Sequence, residues 1–158
     1  MLSIDDEFIR YNAPSIRSTG SVRYAPSFES RLADIKIIGY APRMIADEES
    51  EFLILVSTIG QIHYFNLDIA DQAATKKLEQ HFGYHIVSQV PDISVAEMNW
   101  HSFILYPDTL SGQPLFQSWN WLTLRGFIKN LNKQLAMDNP MWERLTDNAK
   151  AYLSAINN

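Results

Sequence analysis

The most apolar stretch of the chain is residues 51–67, EFLILVSTIGQIHYFNL, in which every position from Phe52 to Val56 is hydrophobic. Side chains alternate across a strand. Phe52, Ile54 and Val56 therefore belong to one face, Leu53 and Leu55 to the other, and both faces need cover. A second arm over 61–67 sets Ile62 and Tyr64 on one face and His63, Phe65 and Leu67 on the other. Thr58-Ile59-Gly60 joins the arms, and Gly60 can take the positive φ that a tight turn demands. The pattern predicts a hairpin around which the rest is packed.

Upstream, residues 32–40 (LADIKIIGY) carry a β-branched run and predict a first strand, which Pro42 is expected to stop from extending as a central strand. Downstream, Ala70, Ala74, Leu78 and Phe82 recur every four residues. They predict a helix over 68–82, capped by Asp68, with Lys76, Lys77 and Glu79 outside and Gly83 closing it. Residues 84–90 and 100–106 read as a fourth and a fifth strand, stopped by Pro91 and Pro107. Trp121, Leu124, Ile128, Leu131 and Leu135 keep helical spacing behind Ser118 or Asn120 as a cap. Asn139 and Pro140 then suit the start of another helix, with Leu145, Ala149, Tyr152 and Ile156 as its apolar stripe. In residues 1–31 the turn clusters interrupt any period. The reading is an irregular N-terminal segment (1–31) followed by a single α+β domain (32–158). Its mostly antiparallel sheet would have about five strands, one inserted helix and a C-terminal helix hairpin.

Composition adds boundaries. With 46% hydrophobic and 20% charged residues the chain can fold around a core. It has no cysteine, which removes disulfides, thiolate nucleophiles and cysteine zinc sites together. No apolar run approaches the roughly 20 residues of a membrane span, and the N-terminus lacks a signal-peptide pattern, so a cytoplasmic protein off the membrane is expected. A formal charge of −5 disfavours binding to a nucleic-acid backbone and suits a basic protein partner.

Several chemistries fail on spacing. No two of the six glycines lie within thirteen positions, so neither a dinucleotide fingerprint nor a P-loop can be written. There is no H-E-x-x-H and no G-x-S-x-G. His81 and His85 are four apart, but Gly83 between them should end the helix, and only convergence with His63 would make a metal site. Asp92, Glu97 and Asp108 offer carboxylates for acid–base work if the fold gathers them. Arg17, Arg23 and Arg43 could meet an anion. Asp47, Glu48, Glu49 and Glu51 are four carboxylates in five residues, without calcium-loop spacing, and read as a solvated turn open to a basic partner. Trp119 and Trp121, two apart, cannot share a helix face, which leaves Trp119 as a candidate interface anchor.

Three pieces carry a resemblance: DIKIIG at 34–39, the hairpin and helix at 51–82, and FILYPDTLSGQPLF at 103–116. In that order they resemble a group of small, uncharacterised bacterial α+β proteins, over about half the chain. The resemblance implies a bacterial or phage-related cytoplasmic protein and no catalytic residue. The strand meander before a helix is also loosely similar to a pleckstrin-homology-type fold, from which the chain departs by inserting a helix after three strands. Fold likeness alone does not give function. The expected function is a non-enzymatic, acidic protein-interaction module, with an immunity-type or antitoxin-type inhibitor of a basic partner as its concrete form. Asp47, Glu48, Glu49, Glu51 and Trp119 are its partner-binding candidates. No catalytic residue, metal or cofactor is assigned, and the oligomeric state is left open. The alternatives are a small hydrolase using carboxylates with His63 or His85, and an anionic-ligand binder.

Overall fold

The apolar run 52–56 lies inside a four-stranded antiparallel sheet in a computed structural model, which describes residues 2–13, 27–45, 48–67, 72–83, 102–117, 122, 128 and 143–157. The sheet contains β4 (Ile35–Ile45), β5 (Glu48–Ser57), β6 (Ile62–Asn66) and β7 (Phe103–Tyr106), in the order β6-β5-β4-β7. The expected hairpin is present. Val56 pairs with Ile62 and Phe52 with Asn66, and Gly60 turns the chain at φ 76°. A second antiparallel sheet, β1 (Leu2–Ile4), β2 (Phe8–Tyr11) and β3 (Phe28–Arg31), precedes it.

Register assigns the faces. Phe52, Ile54 and Val56 share one face with Ala41, Gly39 and Ile37 of β4 and with Tyr64 of β6. Leu53 and Leu55 share the other with Tyr40, Ile38, Phe65 and His63. All five residues from Phe52 to Val56 are wholly shielded from solvent. Each such side chain contributes about 1.5–3 kcal/mol relative to exposure, so both faces are covered rather than left wet.

The C-terminal part covers the first face. Leu115 lies over Gly39, and the Phe116 ring stacks 6.3 Å from Tyr64. Phe116 forms an antiparallel bridge with Leu145, and helix α2 (Asp147–Ile156) follows, burying Ala149 and Leu153. Asn157 Nδ2 donates to the Thr58 carbonyl at 2.9 Å, tying the end of α2 to the β5–β6 turn. The N-terminal sheet covers the second face. Tyr11 sits 6.3 Å from Phe65, and Phe28 stacks on His63 at 4.4 Å.

Helix α1 (Gln72–Phe82) buries Ala74 and Leu78, half-buries Phe82 against Tyr106 at 5.2 Å, and ends at Gly83 with φ 63°. That matches the expected stripe where it is described; Asp68 and Ala70 lie outside the described residues. Lys77 Nζ reaches the Ile4 carbonyl at 3.2 Å and so joins α1 to β1. No helix among the described residues is long and apolar enough to cross a membrane.

Four expectations need correction. The sheet of about five strands is instead two sheets, of three and four strands. The additional one comes from the first 31 residues, where strands of three or four residues are too short to show a period. Pro42 does not stop β4, which runs on to Ile45: Pro42 pairs with Glu51, while the described pairing with β7 ends at Tyr40. A missing N–H is tolerated where the ladder has a neighbour on one side. The run 48–51 is strand rather than loop, because pairing with Pro42–Ile45 overrides the low β propensity of glutamate. The last helix starts at Asp147, not Pro140. Thr146 Oγ1 accepts from Ala149 N at 3.4 Å as its cap, and Leu145 is buried by bridging to Phe116 rather than by a helical stripe. Tyr152 is half-buried and Ile156 exposed. The strand expected at 84–90 lies outside the described residues, as does the helix over 121–135 apart from two positions. Of these Ile128 is helical and 47% exposed.

A Cβ at Gly39 would sit 2.5 Å from Leu115 Cδ2 and 3.0 Å from the Phe103 carbonyl oxygen. Gly39→Ala is therefore expected to destabilise the fold by about 1–3 kcal/mol in urea unfolding. Combined with Leu115→Ala, the double variant should cost less than the two separate values added, because the second change removes the Leu115 part of the clash and leaves only the Phe103 carbonyl.

Candidate functional site

The carboxylates singled out in the sequence belong to the distal half of the β4–β5 hairpin. Described pairing with β6 reaches Phe52 and that with β7 reaches Tyr40. Beyond them the hairpin continues through the pairs Pro42–Glu51, Arg43–Ser50, Met44–Glu49 and Ile45–Glu48. Among the described residues it is thus an arm rooted in the most buried strand. Consecutive strand residues occupy opposite faces, so Glu51 falls on the face of Leu53.

Glu51 is the best-defined of the four. It is half-buried, and the Tyr40 hydroxyl donates to its Oε1 at 2.9 Å. Tyr40 is itself buried on the same face, so the arm is braced where it leaves the core. Asp47 and Trp119 lie outside the described residues. So do His85, His101, Asp92, Glu97, Arg17 and Arg23, and with them most of the expected hydrolase and anion-binding sets. Asp108 is exposed in a short 3-10 turn after Pro107. His63 is buried against Phe28, whereas His81 is exposed and edge-on to Phe82 of its own helix. Among the described residues no three histidines or carboxylates gather as metal ligands would.

Three polar features were not read from the sequence, and two of them join segments far apart in the chain. The buried Tyr64 hydroxyl donates to Glu143 Oε2, across the face covered by the C-terminal part. Asp5 Oδ1 accepts from the backbone N–H groups of Phe8 at 2.7 Å and Glu7 at 2.9 Å, closing the β1–β2 turn. With Arg10 also hydrogen-bonded to it, the Asp5 carboxyl is held down at about 2, the Phe8 N–H being the largest cause. Arg10 also pairs with Glu29 and lies 4.9 Å from the Phe8 ring. Third, Tyr11 is buried between the sheets, and burial pushes its phenol up despite a hydrogen bond from the Asn66 backbone.

If the Tyr40–Glu51 bond braces the arm, Tyr40→Phe should cost about 0.5–1.5 kcal/mol in urea unfolding. Glu51→Gln measured in both backgrounds closes a double-mutant cycle, and a coupling indistinguishable from zero would remove the brace. No protein-family model, curated protein or solved structure matches this chain.

Proposed function

We propose that the chain is a non-enzymatic, acidic protein-interaction module of the cytoplasm whose hairpin arm engages a basic protein partner. An immunity-type or antitoxin-type inhibitor, in a bacterial or phage-related setting, is its concrete form. The observation that carries the reading is the position of the acidic run. Glu48, Glu49 and Glu51 fall on a hairpin extension of a fully buried strand, beyond its pairing with β6 and next to Asp47 in the chain. A rigid root with charge at its distal half suits electrostatic capture, because fixed charges steer an encounter without an ordering cost. The formal charge of −5 adds a long-range field of the same sign. Trp119 would act as an apolar anchor beside the charged contact.

Native mass spectrometry of the protein purified gently at low salt from its own host tests the reading directly. A complex with a second, basic polypeptide is expected, and a bare 18.1 kDa monomer would count against it. With the partner in hand, Asp47→Asn, Glu48→Gln, Glu49→Gln and Glu51→Gln combined should slow association about tenfold or more at low salt and flatten its salt dependence. Unchanged association kinetics would take the steering role away from these residues.

A further inference from the structure

We propose that His63 is a pH-sensitive latch between the two sheets: neutral, it seats Phe28 and holds the β1–β3 sheet in place, and protonated, it lets that sheet go. His63 lies on β6, 9% exposed, with its ring stacked on Phe28 of β3 at 4.4 Å and 21° between planes. Phe28 is in turn 5.8 Å from Tyr11 of β2, which contacts Phe65. The His63–Phe28 and Tyr11–Phe65 contacts join the small sheet to the large one, the Phe28–Tyr11 contact links them within the small sheet, and the only titratable base among these rings is the imidazole.

Among the described residues nothing charged is positioned to stabilise an imidazolium there. From β5 the register opposes Leu55 to His63, and β4 contributes Ile38 and Tyr40, the latter bonded to Glu51. From β2 comes the neutral phenol of Tyr11. On β3, Glu29 and Arg31 fall on the face away from Phe28 and are engaged by Arg10 and Glu7. On α1, Lys77 reaches the Ile4 carbonyl and His81 is exposed. Among the described residues burial alone acts on His63, and it holds the imidazole below its ordinary 6.5. A stacked imidazolium would gain less from the Phe28 face than burying an unpaired charge costs.

The direction of the linkage follows. Above pH 6.5 both the docked and the released states carry neutral His63, and docking is at full strength. As pH falls below 6.5 the released state takes up a proton that the docked state refuses, so docking weakens until the lowered value is passed. The small sheet is suited to yielding first, since its strands are only three, four and four residues long. Asp5 in the same sheet titrates between 3.8 and about 2, well clear of this window.

Hydrogen exchange of the full chain between pH 7.5 and 5, corrected for intrinsic rates, reads the latch. Opening of the Phe8–Tyr11 amides should rise about fivefold or more in the wild type and stay flat in His63→Phe, with the Phe52–Val56 amides unchanged in both. The same rise in His63→Phe, no rise in the wild type, or an equal rise at Phe52–Val56 would each overturn the proposal. Should His63→Phe not fold, nuclear magnetic resonance titration of the wild type decides. His63 titrating below the ordinary 6.5 supports the latch, and His63 titrating at or above it refutes it.

Discussion

A strand that is apolar on both faces constrains everything around it. Phe52 to Val56 cannot be satisfied by a sheet with one wet side, nor by helices packed on one side alone. The chain has to supply two layers, and it takes them from its two ends. Residues before β4 cover the face of Leu53 and Leu55, and residues after β7 cover the face of Phe52, Ile54 and Val56. Sequential neighbours β4, β5 and β6 form most of the sheet, β7 returns to pair with β4, and the segments before and after close over it. Contacts between residues far apart in the chain therefore bind the molecule together, including Tyr64 with Glu143 and Asn157 with Thr58.

The two covering layers are attached differently. On the C-terminal side a polar ladder does much of the holding. Leu115 N and Phe116 N bond to the carbonyl and hydroxyl of Ser102, Gln117 N to the Arg144 carbonyl, and Thr146 N to the Leu115 carbonyl. Thr146 both caps α2 and donates to the Pro114 carbonyl, while Gln113 and Gln117 receive or give side-chain bonds to Asn148 and Asp147. This returning segment also occupies the outer edge of β7, through Ile104 N to the Gln113 carbonyl, so that edge is not left as a template for another chain. Gly39 completes the arrangement, because only a residue without a side chain lets Leu115 come so close to the sheet.

Legibility in the sequence followed pattern length and locality. The hairpin of 51–67 could be read because an unbroken apolar run beside a glycine turn has few other solutions. Its register, its Gly60 turn and the shielding of both faces all follow from that run. Helix α1 and its Gly83 end were legible for the same reason, since Ala74, Leu78 and Phe82 keep one period over two turns. The small sheet was not, because Leu2–Ile4 and Phe8–Tyr11 each contain barely one alternation and owe their pairing to a turn closed by Asp5. Pro42 misled by a rule that applies to strands flanked on both sides, and Pro140 by a helix-start signal that the Thr146 cap superseded. At the candidate site, the acidic run was visible but its place in a strand was not, because only pairing with β4 lets β5 start at Glu48.

The difference between the layers bears on what the molecule can do without unfolding. The C-terminal layer is stitched by backbone and side-chain hydrogen bonds at several points, and opening it would expose polar groups together with Leu115 and Ala149. Among the described residues the N-terminal layer rests on aromatic packing, the hydrogen bond between Tyr11 and the Asn66 backbone, the Lys77 contact to the Ile4 carbonyl and the chain continuity of β3 into β4. Its own charged groups are paired with one another on the outer surface and contribute little to docking, since exposed ion pairs are worth about 0–1 kcal/mol each. A change in charge at His63 therefore acts on the less securely held layer, and at the contact that holds it. The acidic arm is an extension of β4 and β5, whose inner halves stay under the C-terminal layer on one face. Release of the N-terminal sheet would uncover the face that carries Tyr40 and Glu51 while leaving the root of the arm in place. Glu51 at the root of the arm and His63 thus share one face of one sheet, so a change at the latch acts on the face where Tyr40 braces the arm.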